Sequence, residues 1–359
     1  TFNFNQSNGY TFSWVFTNTA SYKKVFGDHS LDLLIGQEAL NTGQGWNNAL
    51  SGLNPFSYDP NFVSLPNIES LQVNAGQSVQ TLGVNFSSLF GKVNYTFKDK
   101  YIIGGVIRRD GSSGFGPSQR YGVFPAGSVP WRISAENFMQ GMTFITDLKL
   151  RGGYGSMGNS NAVPAANQYT LYGGSLQFSS YDISGSNSGS TVGFYRTRIG
   201  NPDAKWETNI TKNIGVDAIL FDGKLDIIVD LWEKETKDLL LNLPLPALAG
   251  PDAAVPYVNV AKMLNRGIDL GITVKHNLTP DLSMEVIANG SFLKNEITEI
   301  ADGLTYITTI NPGVRGLQPI RNELNQSLSG FYGLKVAGLW QSQEEINAAN
   351  AIDGDANSE

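Results

Sequence analysis

The chain has 359 residues, of which 16% are charged, 41% hydrophobic and 11% aromatic, with 40 glycines. A formal net charge of −7 excludes the basic stripe that a nucleic-acid groove needs. The lack of cysteine excludes disulfide scaffolds, thiolate zinc sites and cysteine nucleophiles. Low charge with many glycines and aromatics suits many strands joined by long polar loops. No run of about 18 apolar residues offers a transmembrane helix. No leader segment opens the chain, so an exported protein is expected to carry further residues before Thr1.

The first strand is read from Tyr10 to about Lys23. Tyr10, Phe12, Trp14 and Phe16 fall on one face, the period-two signal of a strand with unlike sides. Phe26-Gly27-Asp28 turns it, and Leu31 to Leu40 returns. Asn41 to Ser87, rich in Gly, Asn, Ser and Pro, reads as a long loop. From Phe90 the alternation is clean: Val93, Tyr95 and Phe97 against Lys92, Asn94 and Thr96. Lys98-Asp99-Lys100 is a tight turn, Tyr101 to Arg109 runs back, and Asp110 to Arg120 is a second loop. A strand starts at Tyr121, and Ala135 to Asp147 suggests a short helical link. Leu148 to about Gly155 is a strand, and Ser156 to Lys205 is another long loop with a short strand expected near Val192 to Arg198.

Two hairpins follow. Ile214, Val216, Ala218 and Leu220 line one face of the first, Asp222-Gly223 makes its turn, and Leu225, Ile227, Val229 and Leu231 return. The segment Leu241 to Tyr257, with four prolines, is a loop. In the second hairpin Ile268, Leu270, Ile272 and Val274 alternate with Gly267, Asp269, Gly271 and Thr273, and the return runs through Met284, Val286 and Ala288 to Phe292. Asn295 to Ser329 is a further loop, and Phe331 to Trp340 is read as a last strand before a polar tail.

The connections alternate. Short ones lie near Gly27, Asp99, Asn137, Gly223 and Thr279, and long ones follow Leu40, Asp110, Ser156, Leu241 and Asn295. Antiparallel neighbours with this rhythm put every long loop at one end of the sheet. Short turns on one side, long loops on the other and aromatics near the strand ends describe an all-β, antiparallel transmembrane β-barrel. The expected aromatic girdle includes Trp14, Tyr22, Tyr95, Phe97, Tyr101 and Phe221. The apolar positions above should face lipid, with Lys92, Asn94, Asp217, Asp226 and Asp269 facing inward. About eleven strands are read, whereas plugged outer-membrane transporters use about 22. An open half-barrel leaves unpaired edges in lipid, so residues 1–359 are expected to be part of a single, larger barrel domain.

The ordered motifs KVNYTFKDKYI, RRDGSSGFGP, FPAGSVPWRIS, DLKLRGGYGSMGN, NPDAKWET, Glu235 to Leu240, NRGIDL and SGFYGLKVAGLW, between Tyr10 and Trp340, resemble the barrel of SusC-like (SusC/RagA family) TonB-dependent outer-membrane transporters of the Bacteroidetes. The resemblance implies a bacterial outer-membrane importer of oligosaccharides or peptides with no bond chemistry of its own. It implies energy from TonB–ExbB–ExbD acting on a plug that, with the closing strands, lies outside this chain. It implies a SusD-like lipoprotein lid over the outer mouth. The rival reading is a secreted β-rich binding protein of lectin or adhesin type, in which the apolar faces would form a closed core.

Other signals are weaker. Gly153, Gly155 and Gly158 match a dinucleotide string, but NSNAVPAANQ follows and offers no helix to a pyrophosphate. Asp353, Asp355 and Asn357 have the spacing of the first ligands of a Ca²⁺ loop, although Ser358 replaces the turn glycine. His29 and His276 lie beside predicted turns and are read as solvated. No cofactor, catalytic group or metal site is assigned. The arginines 108, 109, 120, 132, 151, 196 and 198 are placed near outer strand ends and loops, paired with carboxylates such as Asp110 and Glu207. Trp46, Tyr169, Tyr172 and Tyr181, with Arg196 and Arg198, are the candidates for substrate or lid contact, because aromatic faces stack on sugars and peptide side chains.

Overall fold

The computed structural model describes residues 3–353 except 56–58, 60, 62–67, 73–78, 82, 161–162, 166, 184, 186–188, 243–252, 302, 309–318, 334 and 337. One antiparallel sheet dominates. Its strands are β1 (Asn3–Phe26), β2 (His29–Pro55) with the short partners β3 (Ile68–Gln72) and β4 (Val79–Thr81), β5 (Asn85–Phe97), β6 (Tyr101–Ser112), β7 (Tyr121–Arg132) and β8 (Ile145–Asn159). After four short loop strands, β9 (Leu171–Gly174), β10 (Ser180–Tyr181), β11 (Thr191–Val192) and β12 (Phe194–Arg198), the sheet resumes with β13 (Glu207–Leu220), β14 (Leu225–Asn242), β15 (Tyr257–Thr279) and β16 (Leu282–Ile300). The path is β1-β2-β5-β6-β7-β8-β13-β14-β15-β16, ten neighbours in chain order. A separate small sheet joins β17 (Tyr306–Thr308), β18 (Ile320–Glu323) and β19 (Gly330–Phe331), and the chain continues to helix α1 (Gln343–Asp353).

The register shows why alternation was readable. Ile214, Leu231, Ile268 and Phe292 lie directly opposite one another across four strands, and so do Ala218, Ile227, Ile272 and Ala288. Val93 shares their face through Gly105, Gly127, Tyr154 and Lys212. The other face carries Lys149, Asp217, Asp230, Asp269 and Lys92. These apolar side chains are not closed into a core: Ile214 is 52% exposed and Phe292 73%. A soluble sandwich would bury such rows, whereas a barrel turns them to lipid. On the polar face, Arg151 donates to Asp217 at 2.7 Å and to Asp230 at 2.9 Å, tying β8, β13 and β14.

The short-turn end is built from rings. Phe26, His29, Phe97, Tyr101 and Trp131 form one cross-strand row. His29 stacks on Phe26 at 5.1 Å and its Nδ1 shares a 2.6 Å hydrogen bond with the Tyr95 hydroxyl, so it is a girdle member and not a solvated turn residue. His276 lies within β15, opposite Met284, and is exposed, in keeping with its reading as solvated. The tight turn has Lys98 and Asp99 both in the left-handed region, at φ 54° and 52°, matching the twist of the flanking strands. The link from β7 to β8 contains two single-turn 3₁₀ segments, Ile133–Ala135 and Asn137–Met139. Glu136 between them accepts hydrogen bonds from the Tyr101 hydroxyl (2.6 Å) and Trp131 Nε1 (3.1 Å) and pairs with Lys100 at 3.3 Å. The Tyr101 bond, then the Trp131 bond, with the Lys100 ammonium, hold its carboxyl below the ordinary carboxylate range.

The long-loop end departs from expectation. The reading of 41–87 as an irregular loop is wrong over its first part. β1 and β2 climb on as a hairpin to the Asn3–Leu53 pair, and β3 and β4 return against β2. Glycine and asparagine there mark close backbone approach: a Cβ on Gly45 would lie 1.9 Å from the Tyr10 carbonyl oxygen. A bulge between Phe12 and Trp14 resets the register beside Gly43 (φ 138°), whose N–H donates to Asn41. The glycine triplet 153, 155 and 158 lies within β8, and among the described residues no helix follows it before β9. The expected strand Phe331 to Trp340 is absent among the described residues: pairing ends at Phe331, because Gly330, Gly333 and Gly338 weaken a strand and no ladder partner adjoins it. The sheet path accordingly has ten strands, not about eleven. In the proposed Ca²⁺ loop, Asp353 ends α1, and Asp355 and Asn357 lie outside the described residues.

Two tests follow from this geometry. Leu270→Arg, halfway up the apolar face, should cost about 2–4 kcal/mol of barrel stability, whereas Ser291→Arg, in the polar row with Asp230 and Asp269, should cost little. Urea unfolding in lipid vesicles and the heat-dependent gel shift would report both. Because the Glu136 carboxyl is held low, its bonds stabilise the β7–β8 link above the ordinary carboxylate range and are lost as pH falls below it. Acid, or Glu136→Ala at neutral pH, should therefore expose the link around Phe138 to protease.

Candidate functional site at the long-loop end

Three loops and the upper ends of the strands meet around one buried cluster. Phe115, fully buried, packs against Trp206 at 5.0 Å, and Trp206 meets Phe124 edge-on at 5.6 Å. Val163, Ala204 and Leu240 complete the cluster, with Phe86 and Tyr257 against it. Apart from Ala204 and Trp206, which are two residues apart, they come from separate parts of the chain, so this core holds the segments around Phe115, Val163 and Trp206 and the lead-in to β15 together. The Trp206 indole donates to the Arg120 carbonyl at 3.1 Å. Gly116 sits where a Cβ would lie 2.1 Å from the Pro202 carbonyl oxygen, so no other residue fits without moving the backbone.

Polar side chains finish the clamp. Buried Asn167 accepts from the Tyr257 N–H at 3.0 Å, and Asn201 Nδ2 donates to the Tyr257 carbonyl at 2.9 Å. Gln168 donates to the Ser113 carbonyl. The Thr197–Ile199 backbone exchanges hydrogen bonds with Ala254, a parallel bridge between two loops. Satisfying these backbone groups is what lets irregular chain stay ordered above the sheet.

On this base stand two miniature hairpins, β9 with β12 and β10 with β11. In the first, Tyr172 lies directly opposite Arg196, and Phe194 shares their face. Tyr172 is 65% exposed and Phe194 79%. Tyr181, opposite Thr191 on the second hairpin, is exposed as well. So are Leu176, Phe178 and Ile183, giving an apolar and aromatic surface larger than the sequence candidates alone. Tyr169 is exposed beside the Gly200 backbone. Arg198 is half-buried, and its backbone makes the Ala254 bridge. Trp46 stands apart from this group on β2, with Tyr10 edge-on at 5.7 Å. The structure thus pairs Tyr172 with Arg196 and sets Trp46 on the first hairpin. Sequence reading missed Phe194, whose exposure no local pattern signals.

The arginines divide by position. Arg108 bridges Asp110 (2.6 Å) and Glu38 (3.0 Å) on the polar face, as expected for Asp110. Arg132 pairs with Asp147 at the short-turn end, and Arg151 lies mid-strand, so neither belongs to the outer loops. Among the described residues Glu207 pairs with no arginine. Its buried carboxylate accepts from Asn159 Nδ2, Asn209 Nδ2 and the Leu240 N–H instead. Arg109 stacks over the Tyr121 ring at 3.8 Å.

Removing Trp206 should loosen this end alone. Trp206→Ala should cost about 3–5 kcal/mol of local stability and open residues 160–205 to protease, with the barrel's heat-dependent gel shift unchanged. Gly116→Val should do the same through the clash with Pro202.

Comparison with known proteins gives one consistent answer. The family described as TonB dependent receptor-like, beta-barrel matches residues 1–343. TonB-dependent receptor P3 of Formosa agariphila is 31% identical over 346 residues, covering 94% of this chain and 33% of that protein. TonB-dependent receptor SusC of Bacteroides thetaiotaomicron is 27% identical over 301 residues, covering 82% of this chain and 28% of that protein. The structure of the RagAB peptide transporter superposes with a TM-score of 0.74 at 25% identity, over 90% of this chain and 33% of that one. The outer membrane transporter YddB from Escherichia coli shares the fold alone, at a TM-score of 0.54 and 12% identity. The chain spans about a third of the length of these relatives. With a two-faced antiparallel sheet, an aromatic girdle and this match, the chain belongs to the TonB-dependent receptor β-barrel family, of the SusC and RagA kind, and its place is the bacterial outer membrane.

Proposed function

We propose that this chain is the wall and outer mouth of an active importer for oligosaccharides or peptides. The observation that carries the reading is the asymmetry of the two ends. The short-turn end is closed by rings and tight turns. The long-loop end raises the Tyr172, Arg196 and Phe194 face on a packed base, where a large solute can be recognised. Aromatic faces stack on sugar rings and peptide side chains alike, and a guanidinium reads carboxylates or hydroxyls. The likeness to a peptide transporter and to SusC supports both substrate classes.

The wall performs no bond chemistry. Import against a gradient needs energy, which a TonB–ExbB–ExbD system supplies to a plug carried by the rest of the protein. That remainder also provides the strands that pair with the free edges of β1 and β16, since unpaired edges in lipid are prohibitive. A SusD-like lipoprotein closes over the mouth. Its docking surface is the exposed apolar patch of the β9–β12 and β10–β11 hairpins, too apolar to stand uncovered at the top of a barrel.

Replacing residues 171–198 by a short Gly-Ser linker in the full-length transporter should abolish lipoprotein co-purification and growth on the imported solute, with normal membrane insertion. Tyr172→Ala with Arg196→Ala should weaken either by about tenfold, the scale of two interface contacts. Unchanged uptake and unchanged lipoprotein binding in the linker variant would refute the reading.

A further inference from the structure

The small sheet of β17, β18 and β19 stands on the inward side of the wall at the long-loop end. Ile297 of β16 lies opposite Met263, in line with Asn295 and with Ser291, whose hydroxyl donates to Asp269, so it belongs to the polar face. Ile307 of β17 is buried against Ile297 and Ile300. The turn after β18 is fastened to β16 as well. The Ile297 N–H donates to the Gln326 carbonyl at 2.9 Å, the Asn325 N–H to the Ile297 carbonyl at 2.8 Å, and the Leu328 N–H to the Asn295 side chain at 3.0 Å. One face of the small sheet is thereby fixed against the wall. Side chains alternate along a strand, so Tyr306 and Thr308, on either side of Ile307, point the other way, over the mouth. Arg321 lies directly opposite Thr308 and Gly330, on that same free face.

Arg321 is held there by rings. Its guanidinium carbon is 4.3 Å from the centre of the Tyr306 ring and 3.3 Å from that of Tyr332. The Tyr332 N–H donates to the Pro319 carbonyl at 2.8 Å, which keeps this residue beside β18. Cation–π attraction favours the placement without neutralising the charge. Other arginines lack an ion pair too, but among the described residues only Arg321 lies within stacking distance of two rings. Among those residues no carboxylate pairs with it, and its Nε is buried without an acceptor. Glu323, two residues on along the same face and opposite Tyr306, makes no ion pair with it. A buried donor left without an acceptor is destabilising. Tyr306 is 41% exposed, Tyr332 48%, and Arg321 is half-buried, so the group is open to the mouth. The donors of a guanidinium all lie in its plane, and stacking fixes that plane. A flat, immobile, unneutralised fork fits a flat acceptor with two oxygens.

We propose that this cage is a carboxylate-reading subsite of the importer. Arg321 takes the carboxylate of an acidic solute in a bidentate, charge-assisted pair, and Tyr306 and Tyr332 hold the guanidinium flat for it. The proposal rests on the importer reading above and narrows it from any large solute to one that carries a carboxylate. A peptide C-terminus and a uronate sugar present the same pair of oxygens, so the probes separate the two sources. The platform is already ordered by its backbone bonds to β16, so the fork is in place before a solute arrives.

The test uses the full-length transporter in detergent, with dissociation constants from saturation-transfer NMR titrations at neutral pH. The probes are N-acetyl-tetraalanine, its C-terminal amide, trigalacturonate and neutral galactotriose. The wild type should bind at least one acid about fivefold or more tighter than its neutral counterpart, the scale of one charge-assisted pair. Whichever pair shows the preference names the source. Arg321→Gln should bring that ratio to parity and leave the neutral probe's affinity unchanged. Arg321→Lys, which keeps the charge and loses the fork, should restore the preference only in part. Arg266→Gln, on the outward face of β15, should leave every ratio unchanged, and the heat-dependent gel shift confirms that each variant is folded. Equal binding of acid and neutral probes by the wild type in both pairs, or a preference that survives Arg321→Gln, would overturn the subsite. Equal weakening of acid and neutral probes by both Arg321 variants would mark the stack as structural and overturn it as well. Failure of the importer reading shows elsewhere: unchanged uptake in the 171–198 linker variant would sink that reading and leave the acid preference standing.

Discussion

Everything in this molecule depends on one constraint: a backbone surrounded by lipid has no water to bond with. Each N–H and C=O must find a partner within the protein, and an antiparallel ladder does so while leaving side chains free to differ between faces. The alternation follows from that requirement. Rows such as Ile214, Leu231, Ile268 and Phe292 are apolar because they meet acyl chains. Rows such as Lys149 with Asp217, or Asp230 with Asp269, meet water or one another. Where like charges stand diagonally on neighbouring strands, a third group resolves them, as Arg151 does between Asp217 and Asp230.

The constraint relaxes beyond the membrane, and there the chain uses a different device. Above the sheet, stability comes from a small core made by motifs that are far apart in sequence. Phe115 lies in RRDGSSGFGP, Trp206 and Ala204 in NPDAKWET, and Leu240 at the end of the Glu235 to Leu240 motif. These segments carried the family resemblance. The structure gives the physical reason: they meet at one point, where Gly116 and Pro202 touch backbone to backbone. The loops they anchor can vary at their tips while their bases cannot.

What was legible in the sequence follows the same division. Strand identity, facing and the alternation of short and long connections were readable, because a period of two is a local signal repeated over many residues. The upward extension of β1 and β2 was not. Its glycines and asparagines are loop formers by composition, yet at Gly45 they serve a ladder too close for side chains. The segment after Phe331 misled in the opposite sense, since its alternation had no neighbour to pair with. At the long-loop end, the aromatic candidates could be named but not arranged. Tyr172 and Arg196 are 24 positions apart, and only the β9–β12 pairing sets them side by side. His29 was misjudged because turn proximity is local, whereas its partners Phe26, Tyr95 and Phe97 come from two other strands, β1 and β5.

The two ends therefore differ in what they can do. At the short-turn end, rings, tight left-handed turns and the Glu136 clamp leave few groups without partners, so little is available for recognition. At the long-loop end the partners are spent differently. The base is satisfied by Asn167, Asn201, Glu207 and the Trp206 indole, and the tips keep exposed rings and a guanidinium. Ordering a recognition loop costs conformational entropy each time it binds, unless the fold has already met that cost. Here the buried base meets it before any ligand arrives. In the importer proposed above, a buried base under exposed aromatic tips would let the mouth hold a large solute without having to fold around it.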